Sequence, residues 1–418
     1  MAAALSALAL PSLVRAQPAR PPHDALVAPL RSFTARDLRR LSPMLDQGVI
    51  GMVEHDAPPL LPAIHFALRV DAPARDVAAI LSQPERFAEF MPAVSEVRVE
   101  AREGDTIGYH WQWQTSVFQL GGQAMMTIYA PPEGQERRGW RIVVERTHGD
   151  LGHGREVWRV RPDGDGAVVT LATRMDMADA NYVTRQMPGA GRSLSRSITM
   201  TTALGMILRA QGEAERRAGR RSRTVEGPLR RPSIDLTTLE PLLRRGDLLL
   251  IEAAGTTLRQ STVMTRYERR ESQVRSIMVD PVAFSEALIN GSEARVTGHP
   301  TESSTEFEWR YDMPLVGASG TMVLTERDDS IISLEATAGA MSGGQWRFET
   351  ARLPSGATGV MGWASFDVSD SNFLLRAIDD ADPSFSIGLS ASTEVMMARA
   401  VRIRLDRMRP DEDHVPSR

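Results

Sequence analysis

The chain has 418 residues and a formal net charge of −4, contains no cysteine, and draws all 49 of its basic residues from arginine. Without cysteine there are no disulfides, thiol nucleophiles or thiolate metal sites; without lysine there is no Schiff-base chemistry, P-loop lysine or lysine base. The charge balance gives no general attraction to nucleic acid. At the N-terminus, Ala2 to Val14 is an uncharged, mainly apolar run, and Ala16 supplies a small residue ahead of Gln17. Residues 1–16 therefore read as a signal peptide and the mature protein as periplasmic or secreted. No basic residue precedes the run, so a cytoplasmic location is the alternative. Neither this run nor any later segment reaches transmembrane length.

Residues 17–33, rich in proline and small side chains, read as a tether. Thr34 predicts an N-cap for a helix through Leu45, with Leu38, Leu41 and Leu45 on one face and Gly48 as its terminator. Val49–Glu54 predicts a strand, and Ile64–Val70 another, with Ile64, Phe66, Leu68 and Val70 on one face. His65 falls on the opposite face and reads as a solvated strand residue. Asp71 to Leu81 predicts a helix with proline in its first turn, and Ser82 to Pro92 a shorter one. From Val94 to Met177 the pattern is repeated strands separated by Gly, Pro and Asp turns, with Trp111 and Trp113 on one face of one strand. Arg192 to Arg217 then predicts one long helix.

This order resembles the START-like, helix-grip superfamily (SRPBCC), in particular its polyketide cyclase and coenzyme Q-binding protein branch. The residues that carry the resemblance are Leu68-Arg69-Val70-Asp71-Ala72-Pro73, Pro84-Glu85-Arg86-Phe87-Ala88-Glu89-Phe90-Met91-Pro92 and Val97-Arg98-Val99, within residues 63–217. The resemblance implies an α+β fold in which a curved antiparallel sheet wraps the last helix and encloses an apolar cavity.

The chain also repeats itself. Asp37-Leu38-x-x-Leu41-x-Pro43-x-Leu45-x-x-Gly48 recurs as Asp235-Leu236-x-x-Leu239-x-Pro241-x-Leu243-x-x-Gly246, and Glu54 recurs as Glu252. Two tandem modules follow, residues 34–217 and the more divergent 233–408, with an Arg-rich linker at 218–232 and a disordered tail at 409–418. The linker arginines read as solvated; the alternative is contact with an anionic membrane, worth about 1 kcal/mol per arginine near the surface. Laid on the first copy, the second places Phe307 and Trp309 on Trp111 and Trp113, and Met322 on Met126. Further on, Asp367, Asp370, Asn372, Phe373 and Arg376 fall on Asp176, Asp179, Asn181, Tyr182 and Arg185, reading as shared turns and core aromatics. Val279-Asp280-Pro281 starts a helix with nothing like Phe-x-x-Phe-Met-Pro after it, which predicts that the second copy has lost thirteen residues of helical cap.

For chemistry, His148, Asp150 and His153 form the one cluster with metal-ligand character, on a glycine-rich turn that reads more simply as a hairpin. No nucleophile elbow, zinc-protease motif or dinucleotide fingerprint is present, and no cofactor is expected. Methionines are concentrated late in the first copy. In its long helix Ser193, Ser197, Thr201 and Gly205 alternate with larger residues, which predicts space between helix and sheet. Given the resemblance, the wall candidates for a ligand cavity are Trp111, Trp113, Trp158, Met175, Tyr182, Met200 and Leu204. The expected function is binding or transport of a hydrophobic small molecule, such as a lipid, quinone, sterol or polyketide, rather than catalysis. A cyclase or dehydratase using a cavity His or carboxylate is a second reading, and a structural or regulatory envelope protein a third.

Overall fold

A computed structural model of the chain describes residues 30, 32–55, 62–91, 93–114, 119–176, 191–220, 225–255, 257–288, 292–311, 317–327, 331–367, 376 and 379–409. The N-terminal apolar run, Tyr182, and the Asp179, Asn181, Arg185 group with its counterparts Asp370, Asn372 and Phe373 lie outside them. The fold is α+β, dominated by antiparallel sheet. In chain order the first half contains α1 (Ala35–Leu45), β1 (Val49–Glu54), β2 (Ile64–Val70) and α2 (Ala74–Leu81), then a 3-10 helix at Pro84–Glu89. Six strands follow: β3 (Val94–Glu103), β4 (Thr106–Gln114), β5 (Gln119–Tyr129), β6 (Trp140–Gly149), β7 (His153–Asp163) and β8 (Gly166–Asp176). The long helix α3 (Gly191–Arg217) ends this half. The second half contains α4 (Leu236–Leu243), β9 (Gly246–Ala254), β10 (Thr257–Tyr267), α5 (Glu271–Met278) and α6 (Pro281–Leu288). It continues with β11 (Ser292–Thr301), β12 (Ser304–Tyr311), β13 (Ala318–Glu326), β14 (Ile332–Gly339), β15 (Gln345–Arg352), β16 (Thr358–Ser365) and α7 (Ser384–Arg407).

All sixteen described strands form one sheet, in the order β11-β12-β13-β14-β15-β16-β10-β9-β1-β2-β8-β7-β6-β5-β4-β3. Read outward from the centre, both halves follow the same path. The seam is the antiparallel pair β1–β9, from Val49 opposite Ile251 to Glu54 opposite Gly246. Gly51 faces Leu249 there. These two are the same position of the repeated stretch, so a local twofold axis passes between them, and the contact is isologous. The repeat also explains its own glycines. A Cβ on Gly48 would lie 2.2 Å from the Ile251 carbonyl oxygen, and one on Gly246 2.3 Å from that of Val53. Neither glycine adopts a positive φ. Gly48 is therefore needed for close approach across the seam, and not as a left-handed helix terminator.

Each face of the central sheet is covered. Thr34 caps α1 with a capping box shared with Asp37, and Leu41, Met44 and Leu45 of α1 pack with Leu239, Leu242 and Leu243 of α4 over Ile50, Met52, Leu248 and Leu250. Asp37 accepts from Arg245 of the other half at 2.9 Å. Covering this face is what buries His65, which is fully inaccessible, bonded to Glu54 at 3.0 Å and 5.8 Å from the Phe33 ring. The solvated reading of His65 is thereby corrected.

On the opposite face α3 and α7 run antiparallel in direct contact. A Cβ on Gly388 would sit 2.7 Å from Thr201 Cα, and one on Gly205 3.0 Å from Ser384 Oγ. The small residues of α3 thus admit a second helix, whereas the spacing predicted room above the sheet. Phe66, Leu204, Leu249, Ile251, Ile387 and Val395 belong to one apolar cluster spanning the two halves. No described helix is long and apolar enough to cross a membrane.

Two alignments of the copies change. The helical cap of the second half is present: Pro281 and Phe284 of α6 stand where Pro84 and Phe87 stand, at the offset that relates Val70 to Tyr267. Across the strands Trp111 faces Gly122 and Gly122 faces Gly149, while Trp309 faces Gly320 and Gly320 faces Gly339. Trp111 therefore corresponds to Trp309, Trp113 to Tyr311 and Met126 to Leu324, with Met322 standing at Ala124.

Candidate functional site

In the first half, alternation along β4 to β8 sends one set of side chains toward α3. Most of it is apolar: Ile107, Ala124, Met126, Ile142, Val144, Trp158 and Leu171 are buried in the main cluster with Met200, Leu204 and Ile207 of α3. Toward the β6–β7 turn the same face changes character. The next inward positions are Arg146 on β6 and Glu156 on β7, which form a nearly inaccessible ion pair. Arg146 also donates to Met175 Sδ at 3.7 Å, and its guanidinium lies 5.9 Å from the centre of the Trp111 ring. Met175 packs with Leu151, Trp111, Leu120 and Ile198.

Glu156 uses one oxygen for Arg146, and its Oε2 is buried without a hydrogen-bond partner among the described residues. Tyr109 is close by. Burial pushes its phenol well above the usual range, the Glu156 charge adds to this, and Arg146 opposes it. Taking an ion pair out of water costs several kcal/mol per ion, which a single salt link does not fully return. The arrangement gives an apolar wall with a cation, an anion with one unused oxygen, and a phenol kept neutral. Such a wall with a few convergent polar groups is the usual form of a small-molecule site.

Of the wall candidates, Trp111 and Met175 come together around Arg146. Trp158, Met200 and Leu204 are in the packed core, at 3%, 0% and 0% exposure. Trp113 lies further along β4 on the face of Trp111, facing Leu120. Sequence reasoning passed over Arg146, Glu156 and Tyr109. A signal for them existed: each continues an alternating apolar set, Ile107-x-Tyr109-x-Trp111, Ile142-x-Val144-x-Arg146 and Glu156-x-Trp158-x-Val160. A charge on the core face of two neighbouring strands requires a partner or a ligand.

The histidine turn does other work. Asp150 Oδ2 accepts from the Gly121 amide at 2.7 Å, tying the β6–β7 turn to β5, and the His148 and His153 rings stand 6.1 Å apart. Among the described residues no three His, Cys, Asp or Glu side chains are placed to share a metal ion. The described arginines around the linker are engaged: Arg216 and Arg217 with Glu213, Arg220 with Asp71, Arg230 with Glu252 and Arg231 with Glu349.

Residues 70–191 match the family model described as polyketide cyclase / dehydrase and lipid transport. Among solved structures the chain is similar to a STAR-related lipid transfer protein from Xanthomonas axonopodis, at 16% identity over 40% of this chain and 94% of that one, TM-score 0.33. It is also similar to the Zhui aromatase/cyclase from Streptomyces, at 16% identity over 37% of this chain and 94% of that one, TM-score 0.32. A third is the di-domain ARO/CYC StfQ from the steffimycin biosynthetic pathway, at 12% identity over 82% of this chain and 98% of that one, TM-score 0.27. No curated protein matches the sequence. By the family match, residues 70–191 are similar to the polyketide cyclase / dehydrase and lipid transport family.

Proposed function

We propose that each half is a helix-grip module and that the first binds a hydrophobic small molecule between its sheet and α3, oriented by Arg146 and Glu156. The observation that carries this reading is the unpartnered Oε2 of a buried Glu156, beside Arg146, Trp111 and Met175. A ligand hydroxyl could donate to that oxygen while its carbonyl takes the Arg146 side, and ring or alkyl surface would be held by Trp111, Leu151 and Ile198. Apolar burial at about 25 cal/mol per Å² supplies affinity, and the polar pair selects and orients. The family description, which covers both cyclases and lipid transport, supports an apolar ligand class without choosing among its members.

The test is extraction of the purified full chain into organic solvent followed by mass spectrometry. A lipid, quinone, sterol or polyketide-like compound at near-stoichiometric yield is expected from the parent protein, and little from the double variant Arg146→Met, Glu156→Leu. A parent protein that yields nothing, and binds none of these classes when they are added, would sink the reading. The same Glu156 oxygen also suits a proton acceptor in a cyclisation or dehydration, which is the second reading. Turnover of a poly-β-ketone substrate by the parent, abolished in Glu156→Gln with binding retained, would establish it.

A further inference from the structure

The second half repeats the fold without repeating the polar site. Arg146 faces Ala124 on β5, and the position that faces Met322 on β13 in the same way is Ala336. Glu156 faces Val144, and the position that faces Leu334 is Trp346. The ion pair is therefore replaced by a methyl group and an indole. A carboxyl returns from the other side of the core. The α3 and α7 sequences align through Ser193-Leu194-Ser195 with Ser384-Phe385-Ser386 and Thr202 with Thr393, which sets Glu394 on Ala203.

Glu394 is completely inaccessible, and neither of its oxygens has a hydrogen-bond partner among the described residues. It points from α7 toward the sheet, where the Trp346 indole lies near enough to favour its charged form without reaching hydrogen-bond geometry. The Trp346 Nε1 is itself buried and unpartnered, and so is that of Trp309, which packs on the same apolar cluster. A side chain on Gly320 would begin 3.1 Å from Trp309 Nε1, so glycine leaves that N–H uncovered. An unpartnered Trp309 N–H, and a Glu394 carboxyl met only by the Trp346 N–H outside good hydrogen-bond geometry, are an uncommon arrangement on one apolar face, because buried polar groups are nearly always well paired. Among the described residues no charged partner holds Glu394 ionised, so its neutral form is the third donor.

We infer that the second module is a separate binding site, with Glu394, Trp346 and Trp309 as its polar contacts, for a neutral apolar molecule carrying a ketone or similar acceptor oxygen. The inference rests on the reading of each half as a helix-grip module. It assigns the two modules different ligand chemistry: an ion pair in the first, and hydrogen-bond donors without a cation in the second. An anionic ligand would find no counter-charge beside Glu394.

The test uses prodan, a neutral fluorescent naphthyl ketone, titrated into the full-length chain. Two binding components are expected. Glu394→Leu should weaken one of them at least about tenfold, as follows from losing a buried donor, with Glu394→Gln in between because its amide still donates. The same naphthalene without the ketone should bind the parent and Glu394→Leu alike. The double variant Arg146→Met, Glu156→Leu should spare the Glu394-dependent component. Circular dichroism checks that every variant keeps its fold. In the parent, the infrared stretch of a protonated carboxyl, absent in Glu394→Gln, should shift on adding the ketone. Prodan binding that ignores Glu394 but responds to the Arg146 and Glu156 changes would overturn this inference and leave the first-module reading standing. Absence of any binding would remove both.

Discussion

The two halves of this molecule solve the interior differently on the same strand order. The first places Arg146 and Glu156 on adjacent strands, where each compensates the other, and leaves one oxygen unused. The second has Ala336 and Trp346 at those positions and carries an uncompensated Glu394 on the helix. Shared backbone topology thus sets where a polar group can face the core, while the choice of strand or helix sets whether it meets a partner. At the seam, by contrast, the halves remain equivalent, because both must satisfy one twofold contact.

Changing Glu394 breaks the comparison most strongly. Burial pushes its carboxyl up to about 8, opposed only by the Trp346 indole. A raised acid contributes stability that is fully present below its unfolded value near 4.5 and is lost as pH rises through about 8. The upper bound for this loss is ~5 kcal/mol. Denaturant unfolding of the parent and Glu394→Gln across that window should show the variant gaining relative stability as pH rises. A constant difference between the two would mean that Glu394 is not held neutral.

Arg146 gives the next largest effect. Arg146→Met leaves Glu156 buried without its cation and should cost about 3–5 kcal/mol, whereas adding Glu156→Leu should recover most of that. A double variant no more stable than the single one would show that the pair is worth more than its desolvation cost. Such a result would separate the modules further.

The seam sharpens the comparison from the other direction. Gly48→Ala and Gly246→Ala each force a Cβ into the opposing carbonyl and should each cost about 1–3 kcal/mol. Thermal unfolding should give nearly equal losses for the two. Loss at Gly48 alone would mean that the twofold relation is geometric but not energetic.

The duplication, the α+β class and the family resemblance matched over residues 70–191 were legible in the residues. Local signals carried them: a helix cap, two-residue alternation and punctuating glycines act over a few positions and recur wherever a module recurs. The lead-in stretch was recognisable as a repeat, with its Leu face packing as read, but its part in joining the halves was not. Gly48 and Gly246 meet backbone some two hundred residues distant, and nothing near them in sequence records it. The same holds for Thr201 and Gly388, for buried His65, and for Glu394. A small residue or a carboxyl on a helix has the same local pattern whether it faces a sheet, a second helix or water. Its role is set by what the fold brings against it, since the cost of burying charge and the benefit of close packing arise only at contact. Sequence alone therefore determined which elements form and that they form twice. Tertiary structure decided that they close into one sheet about a twofold seam, and which polar groups, among the described residues, are left inside without partners.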